Sequence, residues 1–345
     1  MNQPISHLLA DADLNETSVG PSNLSFHSPN NTTIDNNSSS NNAISSSFRT
    51  TAAIIYLVVA LIGLSGYSLY FYIVIKYRKA LSNPFYTFTL TMGCIDCLSD
   101  VVTIAYSVPT MIFNRSVKAT IERDLFGFLC DYSWFVIISH MVLIASNRAI
   151  SLKWPTSYGQ LFSTYRTAAL IAGSYAWGFV IPSITYACGC RFAFDQFAWT
   201  VLCDESSSSN IASTIDVTVS NAQIAFVILA NAVILIYVSR KSRKIQSQMQ
   251  QAGGRRIDDA PQKQAQKRER ALLLQFSAVA GTMIFGSATF WSLTPLVESG
   301  YVSSEVGGFA SGFMLVFNSS INPYLYFCFS SEIRRYLPCK AKSRE

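Results

Sequence analysis

A chain of 345 residues that is half hydrophobic and only 13% charged is too apolar for a soluble domain. Its apolar residues also run in long blocks, so the composition is that of a membrane protein. The net charge of +6 calls for no nucleic acid, because the basic residues gather where they meet anionic inner-leaflet membrane lipid.

Residues 1–49 are rich in Ser and Asn and poor in aromatics. They cannot bury enough surface to fold, and read as a disordered, sugar-bearing extracellular segment. Asn15, Asn23, Asn30, Asn31, Asn36 and Asn37, with Asn114 beyond the second apolar block, satisfy the N-x-Ser/Thr glycosylation pattern. No cleavable signal is visible in this polar stretch, so the first apolar block is expected to act as its own uncleaved anchor.

A membrane helix takes ~20 apolar residues, and such blocks fall near 50–76, 84–109, 125–147, 166–188, 212–238, 271–297 and 305–329. The expected fold is an all-α bundle of seven transmembrane helices over residues 50–329, in the plasma membrane. Cytoplasmic flanks carry the excess of Lys and Arg. Here 21 of the 26 lie on one side of the blocks and 5 on the other, so the amino terminus is outside. Residues 330–345 form an inner tail, with a short amphipathic eighth helix and with Cys339 placed for S-palmitoylation.

Several polar groups lie within the blocks. Asp96 sits in the middle of the second, where an ionised carboxylate is expensive and marks a functional site. Asn318, Ser319 and Asn322 of the seventh are expected to meet it across the bundle, with a sodium ion and waters as further occupants. A protonated Asp96 held by Thr91 is the alternative, and Asp100 lies one turn further out on the same face. Pro323 frees a carbonyl one turn back and invites a kink, so the last helix can take two shapes. His140 in the third block reads as a hydrogen-bonded core residue.

Nearer the outside, Asp131, Tyr132 and Trp134 form a candidate ligand pocket, to which the sixth block adds Trp291. Asp131 either meets a cationic ligand or is solvated by the vestibule; Asp216, at the mouth of the fifth block, is expected to face water. Cys130, Cys188, Cys190 and Cys203 lie on or near the outside, where oxidation is possible. A bond from Cys130 to Cys190 or Cys203 would staple the second outer loop over the bundle mouth, and the sequence leaves the pairing open.

Taken together, the motifs resemble those of the rhodopsin-like G protein-coupled receptors, and more narrowly of the nematode serpentine chemoreceptors, class v in particular. The resemblance rests on Asn83-Pro84-Phe85-Tyr86 leading to Asp96, on the run from Asn147-Arg148 to Trp154-Pro155, on Asn322-Pro323-x-x-Tyr326, and on residues 332–337 as an inner-leaflet helix. It implies that Arg148 is held near the inner face at rest and contacts a heterotrimeric G protein when the sixth helix swings out, with Asn318, Asn322, Pro323 and Tyr326 in the switch. Asn147 stands where the family usually has Asp, which removes the local ion pair. Either Glu269 restrains Arg148 instead, or basal signalling is higher. Tyr67 follows Gly66 where Asn is common, so one partner of Asp96 is expected to be missing. Trp291 and Pro295 are four positions apart, too far for the family's toggle spacing.

The function expected is therefore conversion of binding of an external small molecule or peptide into helix movement and G protein activation, with chemosensation favoured by the resemblance. The alternatives are a receptor for an endogenous peptide or amine, and a seven-helix transporter or channel. The chain lacks an internal repeat and a row of pore charges, which speaks against transport. Residues 305–329 contain no lysine, so a retinal Schiff base is excluded. No metal-binding spacing, nucleophile with base, or phosphate loop points to an enzyme, and no cofactor is implied.

Overall fold

The computed structural model describes residues 46–79, 81, 83–113, 121–190, 192–195, 200–203, 209–251 and 260–337, all within one unit, Ala43–Glu345. Six of its helices are long and apolar enough to cross a membrane: Ser46–Lys76, Pro84–Phe113, Ile121–Lys153, Thr164–Ala187, and the stretches Thr214–Arg240 and Leu274–Val297 of two longer helices. They form spans one to six. Span seven is Ser304–Phe329. It is less apolar because the face it buries carries Ser311, Asn318, Ser319, Ser320 and Asn322.

Local chemistry sets the ends and bends of these helices. Asn83 caps span two, its side chain accepting from the Phe85 N–H, and Pro84 fills the first turn, where no N–H is needed. The sequence reading stops this span at Pro109, yet the helix continues to Phe113. A π turn at Thr103–Ser107, closed by the Val108 N–H to Thr103 O, lies just before Pro109 and absorbs the ladder bond that its missing N–H would otherwise break. Ser303 caps span seven, accepting from Val306 N–H.

Span three is the hub of the bundle, packing on spans two, four and five, while span seven packs on one, two and six. Gly63 lets spans one, two and seven approach closely: a Cβ there would lie 2.5 Å from Asp100 Oδ2 and 2.7 Å from Ser320 Cβ. A cluster of buried aromatics, among them Tyr67, Tyr70, Phe85, Phe88 and Tyr326, fills the inner half.

Among the described residues, three short elements lie outside the seven spans, one of them not helical. The second outer loop holds an antiparallel hairpin, β1 Phe192–Asp195 and β2 Thr200–Cys203, with Phe192 opposite Cys203. Strand β1 lies beside span three and β2 beside span seven, so the hairpin crosses the outer mouth. The second inner loop forms a short helix, Pro155–Leu161, started by Pro155. The eighth helix is only one turn, Ser331–Arg334, capped by Ser330.

Candidate functional site

Asp96 is fully buried. Its Oδ2 accepts from Asn322 Nδ2 at 3.0 Å and from the Tyr67 hydroxyl. Asn322 precedes Pro323, so this bond ties span two to the turn that the proline weakens. The position expected to lack a partner is thus filled: a tyrosine on span one reaches the carboxyl that a shorter amide would otherwise meet. Hydrogen bonds to a charged group contribute about 1.5–3 kcal/mol each.

The other expected partners go elsewhere. Ser319 and Ser320 hydroxyls donate to Asp100 Oδ1 at 2.7 and 3.1 Å, so the outer acid takes the serines and Asp96 the asparagine. Asn318 instead accepts from Thr282 Oγ1 of span six at 3.2 Å. Thr91 bonds His140 Nε2 at 3.1 Å rather than Asp96. His140 is also bonded to Val136 O and Ser174 Oγ, which satisfies the ring between spans two, three and four. No protein group among the described residues donates to Asp96 Oδ1 or Asp100 Oδ2. These are hard oxygen donors of the kind a small monovalent cation accepts.

At the inner end, Arg148 is 6% exposed, and its guanidinium lies over the Phe85 ring at 3.9 Å. Such a contact contributes about 0.5–2 kcal/mol. Asn147 is turned away from it and donates to the Tyr158 hydroxyl at 3.1 Å, joining the short helix of the inner loop. Tyr326 is buried against Tyr70, ring centroids 5.0 Å apart. Tyr86 ties span two to the last helix, donating to Glu332 at 2.6 Å, and Tyr336 stacks on Tyr77. The side chain of Glu269 lies outside the described residues.

At the outer end the expected pocket is rearranged. Asp216 is only partly exposed and lies beside Asp131. Trp134 is on the same face and donates to Ser220 Oγ at 3.2 Å. Tyr132 is not part of this group. One residue on from Asp131, it turns about 100° around the helix and stacks on Phe128, which meets Phe179 and Tyr186 of span four. Trp291 is 41% exposed and meets Phe290 edge to face, so it does not join Asp131 either.

The expected staple is also absent from span three. Cys130 and Cys188 are free thiols, whereas Cys190 is disulfide-bonded. The side chain of Cys203 lies outside the described residues, as do Cys339 and the acceptors Asn15, Asn23, Asn30, Asn31, Asn36, Asn37 and Asn114.

Comparison with known proteins agrees with this architecture. Among solved structures, squid rhodopsin superposes with a TM-score of 0.69 over 87% of each chain at 13% identity, a likeness of fold alone. None of the curated proteins is similar enough in sequence to match. The family model described as serpentine type 7TM GPCR chemoreceptor Srx matches residues 57–322, which places the chain in that class of serpentine receptors where its motifs had suggested class v. The chain therefore belongs to the Srx family of seven-transmembrane G protein-coupled chemoreceptors, a multi-pass protein of the plasma membrane.

Proposed function

We propose that this receptor converts binding of an external ligand at the outer half of the bundle into movement of spans six and seven, which opens the inner face around Arg148 to a heterotrimeric G protein. The observation that carries the reading is the bond from Asn322 to Asp96. It fixes the resting register of a helix whose ladder Pro323 has already interrupted, so a modest free energy can favour a second shape. Asn318, bonded to Thr282, links the same helix to span six. Tyr326 packs at the inner end of this path and moves with it. A ligand shifts the balance only through its better fit to the active shape, about 1.4 kcal/mol for each tenfold change in the ratio of states.

In this reading Asp96, with Asp100, holds a sodium ion in the resting state, supplying charge and oxygen ligands. Arg148 rests on Phe85 in place of an ion pair with its neighbour, since Asn147 is engaged with Tyr158. Arg148→Ala is expected to abolish G protein activation by the receptor while its surface level stays within twofold of wild type. Undiminished activation in that variant would contradict the assignment.

A further inference from the structure

Span six meets its neighbours through a buried stripe, Gln275, Phe276, Val279, Ala280 and Met283, which recurs every three or four residues along the helix. Its apolar members belong to the same core as Ile144 of span three and Tyr326 of span seven. Polar bonds tie the span on both sides. Ser277 Oγ donates to Asn231 Oδ1 of span five at 3.0 Å, and Thr282 Oγ1 donates to Asn318 Oδ1 of span seven at 3.2 Å. Each of these bonds matches a donor with an acceptor.

Gln275 breaks this pattern. It is fully buried, yet neither its Nε2 nor its Oε1 has a hydrogen-bond partner among the described residues. A glutamine amide carries two donors and an acceptor. Burying it unpaired costs the desolvation of both ends, a cost that an apolar side chain of similar shape does not carry. Buried polar groups are nearly always paired, so an exception calls for a physical reason. Its place in the fold supplies one. Gln275 is the innermost residue of the buried stripe, and Arg270 lies five residues further in on the same helix, about 7.5 Å at 1.5 Å per residue. Basic side chains of this kind mark the inner membrane–water boundary. A short outward movement of the inner end of span six therefore brings the amide to water.

We propose that Gln275 is a positioning residue for the movement of span six: its unpaired amide raises the free energy of the closed inner end, and hydration in the opened shape relieves it. The proposal rests on the receptor reading above and names a bias on that equilibrium that lies within the fold. The Asn322–Asp96 and Thr282–Asn318 bonds hold the closed shape, while Gln275 opposes them. The free energy left for a ligand to supply is smaller by that opposition. A group shifts the ratio of two states only by the difference in its cost between them. A glutamine that served as filler alone would cost the same in both shapes and would shift nothing, which makes the two roles separable by experiment.

The test is hydrogen–deuterium exchange on the full-length receptor in lipid discs, with neither ligand nor G protein present. Exchange of the backbone amides of residues 271–279 reads how often the inner end of span six opens to water. Gln275→Met keeps the length and approximate volume of the side chain and removes the amide. It is expected to slow exchange at 271–279 tenfold or more, while residues 70–76 of span one stay within twofold of wild type. Gln275→Glu, a side chain more costly to bury, is expected to speed exchange at 271–279. If Gln275→Met does not reach the surface, Gln275→Leu takes its place in the comparison. The proposal is overturned if the apolar variant exchanges within twofold of wild type at 271–279, or if spans one and six slow alike, which would mark a general gain in stability. Affinity for nucleotide-free heterotrimeric G protein is measured alongside. Slowed exchange at 271–279 in a receptor that binds no G protein supports the role of Gln275 and counts instead against the G protein reading.

Discussion

Tyr67 shows how a single side chain can answer a need that a count of amides leaves open. Counting only amides, the reading from sequence found Asp96 short of a partner on span one, because a tyrosine in an apolar run is counted as bulk. Its hydroxyl nevertheless reaches Asp96 Oδ2 beside Asn322 Nδ2. Tyr67→Phe keeps the ring packing against Tyr70 and Phe71 and removes only the donor. The expected cost is about 1–3 kcal/mol, read as a lower Tm of the purified receptor with no loss of expression at low temperature. An unchanged Tm would mean that the hydroxyl contributes nothing to holding the carboxyl. Asp216 was missed for a related reason: a lone acid near a helix mouth looks solvated, and only the rotation of span five towards Asp131 reveals the pair. Cys130 erred the other way. It was expected to bond outward, but it is a free thiol on span three, and the disulfide is formed by Cys190.

At the scale of helices, the blocks of apolar residues placed all seven spans, because burial in lipid demands uninterrupted backbone hydrogen bonding and leaves a long apolar signature. What such blocks cannot carry is the close fit between helices. Gly63 and Gly173 read alike in sequence, each a glycine within an apolar stretch. In the bundle, a Cβ at Gly63 would collide with Asp100 and Ser320, whereas at Gly173 nothing lies within 4 Å. Gly63→Ala is therefore expected to destabilise by about 1–3 kcal/mol through overpacking. Gly173→Ala should be neutral or stabilising by up to about 1 kcal/mol through helix propensity. Thermal unfolding of the two variants side by side tests this, and equal shifts would contradict the packing described. The outer hairpin and the one-turn last helix were illegible for a different reason: each is short, and its residues alternate too briefly to rise above loop composition. The second apolar block ends at residue 109 in sequence although the helix runs on to Phe113, because the π turn that accommodates Pro109 has no sequence signature.

Across the whole molecule, span seven is tied to its neighbours by three separate sets of polar contacts, Asn322 with Asp96, Ser319 and Ser320 with Asp100, and Asn318 with Thr282 of span six. Their members were visible as polar residues at lipid depth, but their pairing was not. Asn318 goes to span six and the serines to Asp100, a choice fixed by helix rotation. The central claim is that the Asp96–Asn322 contact carries the signal between the outer and inner halves, and a double-mutant cycle tests it most directly. The quantity is the affinity of the receptor in lipid discs for nucleotide-free heterotrimeric G protein, measured for wild type, Asp96→Asn, Asn322→Ala and the double variant. Each single change is expected to weaken binding about tenfold, and the double variant no more than either alone, a coupling of about 1.4 kcal/mol. Losses that multiply to about a hundredfold, or no loss in either single variant, would show that the two residues act apart and that the contact transmits nothing.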